Sequence, residues 1–115
     1  MNIVQGGVCE REGWMQMAIA RVFDGRGWTT AQYDQLMLRL VDQLGLGKGQ
    51  PAPGVLFHWA AATGDGMRAV DVYDSREAAD RLVGETIGPI AGELGLPMPD
   101  ISEYEVHNLL RQSRD

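Results

Sequence analysis

The chain has a single cysteine, Cys9, so it forms no internal disulfide and no Cys-x-x-Cys metal or redox site. That usage fits a reducing, cytoplasmic setting. Basic residues are also few: Lys and Arg number 10 against 16 for Asp and Glu, and the net charge of −6 argues against a nucleic-acid backbone as partner. No apolar run approaches the ~18 residues of a membrane helix, and residues 1–8 lack the basic and apolar regions of a secretory leader, so no membrane partner is expected. The two histidines, His58 and His107, come without H-x-E, H-E-x-x-H or a triple-carboxylate spacing, so no metal is expected. The Gly clusters at 25–27, 45–49 and 64–66 do not follow the strand-to-helix pattern of a dinucleotide cradle, and no cofactor is expected.

What remains is an ordinary globular composition, 44% apolar and 23% charged, in 115 residues, enough for one domain with one core. The acid excess is uneven. Residues 1–53 hold five bases and five acids, whereas residues 54–115 hold five bases and eleven acids. Residues 1–16 show neither period 2 nor period 3.6 and read as an N-terminal extension, flexible or the product of an upstream gene start. The domain is expected over 17–109, followed by a polar tail at 110–115.

From Met17 the pattern becomes regular. Met17–Phe23 reads as a strand closed by the turn cluster Asp24-Gly25-Arg26-Gly27. Thr29 with Gln32 has capping-box spacing, and Tyr33, Leu36, Met37, Leu40, Val41 and Leu44 recur at helical spacing behind it. Gly45 and Gly47 stop that helix. Gly54–Thr63 and Met67–Tyr73 read as strands joined by a hairpin at Gly64-Asp65-Gly66. Asp74 with Glu77 is expected to open a second helix that breaks at Pro89, where a short helix restarts. Ser102–Leu109 reads as a fourth strand. The order β-α-β-β-α-β predicts an α+β, ferredoxin-like fold: a four-stranded antiparallel sheet, strands ordered 4-1-3-2, with two helices on one face. The other face would be bare yet apolar, and a sheet-to-sheet homodimer is the simplest cover.

A two-residue hairpin loop puts even positions of the second strand on the same face as odd positions of the third. His58 then shares a face with Asp71 and Tyr73, while Val55, Phe57, Trp59, Val70 and Val72 collect on the other. A three-residue loop would reverse the pairing and set His58 beside Val70 and Val72.

The strings Gly54-Val55-Leu56-Phe57-His58, Ala69-Val70-Asp71-Val72-Tyr73-Asp74-Ser75 and Val106-His107-Asn108, in this element order, resemble the dimeric α+β barrel superfamily. The likeness covers residues 17–109 and is nearest to small bacterial members related to antibiotic-biosynthesis monooxygenases. It implies small-molecule binding and, among the activities of such proteins, cofactor-independent oxygenation or cyclisation of an aromatic or polyketide-like substrate. Fold analogy alone does not fix which.

In the first register, Asp71 would orient the His58 imidazole, which could then take a phenolic or α-carbonyl proton. The resulting phenolate or carbanion reacts with O2 directly or closes a ring without a cofactor. Tyr73 would bond a substrate oxygen, and Arg21 would either neutralise an oxyanion or pair with Asp71. The same His58–Asp71 pair reads equally as a structural polar network in a non-catalytic ligand-binding or stress-type dimer. Trp59 is either a substrate-stacking ring or part of the core or dimer interface. His107 would close the pocket, cap the sheet or meet the second subunit. Tyr33 and Tyr104 read as core or rim residues.

Overall fold

The computed structural model describes residues 18–110. The extension expected over 1–16, with Cys9 in it, and the tail beyond residue 110 lie outside the described residues, as does Met17. Strand β1 (Ile19–Arg26) leads into helix α1 (Thr30–Leu44), and β2 (Val55–Ala62) and β3 (Gly66–Tyr73) form the hairpin. Helix α2 (Arg76–Leu82) continues through one π turn (Val83–Ile87) into α3 (Gly88–Glu93), and β4 (Asp100–Glu105) closes the sheet. All pairings are antiparallel in the order β2-β3-β1-β4, so β3 and β1 are the inner strands. The expected ferredoxin-like α+β architecture is present.

Local chemistry explains the boundaries. Thr29 caps α1 by accepting from the Gln32 N–H at 3.1 Å, and the Gln32 side chain returns the bond to the Thr29 N–H at 2.9 Å. At the other end Gly45 adopts the left-handed conformation (φ 66°), which lets the Gly45 and Leu46 N–H groups close on Asp42 and Val41. Helix α2 starts one residue later than expected. Asp74 spends its N–H on the Gly54 carbonyl at 2.9 Å, and the Ser75 hydroxyl caps Ala78 instead. The break expected at Pro89 is a π turn. With the Gly88 N–H bonded five residues back to Val83, the helix passes the position where Pro89 has no donor to offer.

Two strands are displaced from their expected limits. β1 runs through its supposed turn because Asp24, Gly25 and Arg26 pair with Arg68, Met67 and Gly66, and the Arg68 Nε donates to Asp24 at 2.6 Å. β4 lies earlier, at Asp100–Glu105, because its partner β1 begins at Ile19; the ladder ends with Val106 N–H on the Ala18 carbonyl.

The core forms between the helices and one sheet face, from Ile19, Met67 and Tyr73 on the sheet to Leu36, Leu40, Leu82 and Ile90 on the helices. Each such aliphatic side chain contributes about 2 kcal/mol of burial. Trp28 packs over Gly25, where a Cβ would come within 2.7 Å of the indole, and donates Nε1–H to the Pro97 carbonyl at 2.8 Å. The segment before β4 is thereby tied to the start of α1.

Candidate functional site

The hairpin supplies the site. Thr63 N–H bonds the Gly66 carbonyl at 2.8 Å, leaving Gly64-Asp65 as a two-residue loop, and His58 stands opposite Asp71. The parity expected for a two-residue loop therefore holds beside Asp71. It fails at the start of β2, where a bulge between Val55 and Phe57 turns Val55 to the helix side, opposite Tyr73 and buried. Val55 is thus on the core face, contrary to the uninterrupted alternation.

Four side chains form one hydrogen-bonded row. Tyr73, fully buried, donates its hydroxyl to Asp71 Oδ2 at 2.7 Å. Asp71 Oδ1 meets His58 Nδ1, and His58 Nε2 meets the Tyr33 hydroxyl at 2.6 Å. With Asp71 as a carboxylate, Nδ1 carries the proton of a neutral imidazole and Nε2 accepts from Tyr33. The Tyr33 and His58 rings are 5° from parallel with centroids 6.2 Å apart, so they lie end to end and the hydroxyl approaches Nε2 near the ring plane. Burial, then the Asp71 charge and then Asp34, pushes the Tyr33 phenol up to about 12. Burial and Asp71 raise Tyr73 further, with Arg21 opposing. Both phenols are donors at neutral pH.

Above the row lies a cavity of about 540 Å3 between sheet and helices. Its walls are chiefly apolar, including Leu36, Leu40, Met67 and Met98, and the π turn contributes Val83 and Ile87. His58 and Asp71 supply polar groups from the sheet and Tyr33 one from α1, while Lys48 and Gln50 belong to the loop after α1. This size and balance match small-molecule pockets. Among the described residues no cluster of His, Cys, Asp or Glu could hold a metal, and no helix is long and apolar enough to cross a membrane.

The six side chains singled out from the sequence divide. His58 and Asp71 line the cavity, and Tyr73 reaches it only through Asp71. Arg21 faces Asp71 in the ladder, but its guanidinium turns away to Asp80 at 2.6 Å and Glu103 at 2.9 Å, where two carboxylates are available and Arg76 shares Glu103. The expected Arg21–Asp71 pair is therefore absent. Trp59 projects from the opposite sheet face, 42% exposed, because it neighbours His58 in a pleated strand. His107 is exposed beyond the end of β4 and does not line the cavity. Tyr33 was not anticipated. The available signal was a phenol at the head of the apolar row of α1, facing the sheet position that His58 occupies.

The fold is that of the small ferredoxin-like proteins represented among antibiotic-biosynthesis monooxygenase structures. Similar solved structures include a point mutant of SnoaB, a cofactor-independent oxygenase from Streptomyces nogalater (16% identity, 83% of this chain and 96% of that one, TM-score 0.53). A candidate antibiotic biosynthesis monooxygenase from Chloroflexus aurantiacus aligns at 17% identity over 84% of this chain and 97% of that one, TM-score 0.53. A protein of unknown function from Nitrosomonas europaea aligns at 17% over 88% and 99%, TM-score 0.55. At these identities the likeness is one of fold. No family model and no curated protein matches the chain.

Proposed function

We propose that the protein binds a small, largely apolar, aromatic or polyketide-like molecule between sheet and helices and acts on it as a cofactor-independent monooxygenase or cyclase. The observation that carries this reading is the hydrogen-bonded His58–Asp71 pair on the wall of an apolar cavity of small-molecule size. Asp71 holds the imidazole in the tautomer that accepts a proton at Nε2, and Tyr73 holds Asp71. A ligand phenol or enol that loses its proton becomes electron-rich enough to meet O2 or an internal carbonyl. SnoaB, named a cofactor-independent oxygenase, supports the reading by analogy of fold. We further assign the protein to the cytoplasm as a homodimer joined through the open sheet face, which exposes Phe57, Trp59 and Tyr104.

One observation favours a second reading. Both ring nitrogens of His58 and both oxygens of Asp71 are already satisfied within the protein, as in a structural network of a non-catalytic binding protein. A screen of aromatic and polyketide-like compounds by thermal shift, followed by oxygen uptake and product analysis with each binder, separates the two. Turnover lost in His58→Ala, with folding and binding retained, supports the enzyme. Binding without turnover supports the second reading, and no binding by any compound removes both.

A further inference from the structure

Resting on the cavity as a binding site, we propose that Tyr33 is the group that exchanges a proton with the ligand, with His58 and Asp71 relaying behind it, and that the ligand carries an acidic phenol or enol hydroxyl. The argument begins with His58, whose Nδ1 is held by Asp71 and whose Nε2 is held by the Tyr33 hydroxyl. Neither nitrogen has a free lone pair or proton for a ligand while Tyr33 stays where it is. The near-parallel rings, with the Tyr33 hydroxyl 2.6 Å from Nε2, keep that nitrogen occupied.

Tyr33 itself lines the cavity and is half-buried, and its oxygen ends the row beyond His58. That oxygen donates its one proton to His58 and keeps lone pairs free to accept. The order hydroxyl, imidazole, carboxylate is that of a nucleophile–base–orienter triad with a phenol in the first position. Burial keeps Tyr33 a phenol at rest, as a relay that begins and ends neutral requires.

The transfer balances without a co-reactant. The ligand hydroxyl gives its proton to the Tyr33 oxygen while the Tyr33 proton passes to His58 Nε2. The products are a ligand oxyanion, a neutral Tyr33 now donating to it, and an imidazolium against the Asp71 carboxylate. No bond between heavy atoms forms or breaks, and no electrons change hands. The apolar walls explain the ligand class: a hydroxyl buried there must find a partner, and the polar row that crosses from α1 to the sheet offers one.

The probes are 4-nitrophenol and alizarin, whose ionised forms absorb at longer wavelength than their neutral forms, with nitrobenzene as a hydroxyl-free control. The full-length protein should bind all three and shift both hydroxylated probes toward the ionised spectrum. In Tyr33→Phe the hydroxyl that occupies Nε2, and with it the relay oxygen, is gone. The ionised fraction of bound probe, set against its neutral fraction, should fall about tenfold, with nitrobenzene affinity and circular dichroism measured alongside to report separately on the cavity and the fold. His58→Gln should lose the spectral shift as well. Ionisation in Tyr33→Phe equal to or above that of the wild type overturns the proposal, because His58 then acts directly. Binding of all probes by the wild type without ionisation overturns it too and leaves the cavity as a binding site. Failure to bind even nitrobenzene removes the binding site and the proposal together.

Discussion

Asp71 accepts the hydroxyl of Tyr73 on one carboxylate oxygen and the Nδ1 proton of His58 on the other, so one buried side chain on an inner strand holds the orientation of the whole polar row. Replacing it with Asn keeps the shape and removes the charge. An amide has one acceptor oxygen, so Asp71→Asn leaves either Tyr73 or His58 facing an N–H, with a buried donor unsatisfied or the imidazole in the wrong tautomer. The expected loss is about 2 kcal/mol in urea unfolding, together with loss of any proton transfer at the cavity. Unchanged stability would mean that the row is not held as described.

Alkaline pH tests the two phenols. Tyr33 is pushed up to about 12 and Tyr73 is raised above the ordinary phenol value. Above pH ~10 the unfolded chain releases these protons while the folded chain keeps them, so the folded state binds more protons and stability falls as pH rises. Denaturant midpoints measured from pH 9 upward should therefore drop from about pH 10. For Tyr33 the contribution is lost progressively until about pH 12. Tyr33→Phe should flatten part of that drop; a fall identical to wild type would place Tyr33 in an ordinary solvated setting.

Much of this arrangement was legible in the sequence, and the remainder was hidden for identifiable reasons. Thr29, Gln32 and Gly45 act within a few residues of themselves, so local spacing was enough to find the limits of α1. The Gly64-Asp65 turn fixes the parity of His58 and Asp71 by the same local logic. The bulge before Phe57 carries no composition signal, which is why Val55 was assigned to the wrong face. Arg21 was read from its ladder neighbour Asp71, whereas the side chain is long enough to choose Asp80 and Glu103. Tyr33 pairs with His58 across 25 residues and two layers, a contact that helical periodicity points toward without naming the partner.

Arg21 should matter to stability and not to the ligand. Its guanidinium bridges Asp80 and Glu103, and Glu103 is held below the ordinary carboxylate range by hydrogen bonds from Arg21 and Arg76. Arg21→Gln is expected to cost about 1 kcal/mol at neutral pH. A lowered carboxylate contributes stability above its unfolded value that is lost as pH falls through the folded one, so the variant should also lose less stability on acidification. Nitrobenzene affinity should be unchanged, since Arg21 does not line the cavity. A large change in affinity would restore a ligand contact for Arg21.

Filling the cavity should separate binding from folding. Ala69 lines it from β3, two residues before Asp71, and stands opposite Ala60. Ala69→Leu adds three methylene-sized groups into space that is already open, so the overpacking penalty should stay below about 1 kcal/mol. Affinity for aromatic probes in calorimetry should fall at least about tenfold, because the added volume is taken from the ligand. Retained affinity would locate the ligand elsewhere.

The open sheet face gives the last test. Phe57 and Trp59 on β2 are each 42% exposed and Tyr104 on β4 is 59% exposed, while Val22 and Val70 of the inner strands are only half-buried. These positions alternate with the core-facing ones, so they form a second apolar surface on a sheet whose helices all lie on the other side. A second copy of the chain related by two-fold symmetry would bring the same apolar surface to it, and the pairing would hide aromatic rings that a monomer leaves in water. Sedimentation equilibrium at micromolar protein should give twice the 12.6 kDa chain mass. Trp59→Lys, which puts a charge on the edge-strand β2 side of that face without touching the cavity, should return the single-chain mass and keep nitrobenzene binding. A wild-type protein already at 12.6 kDa would show that the face stays open in solution.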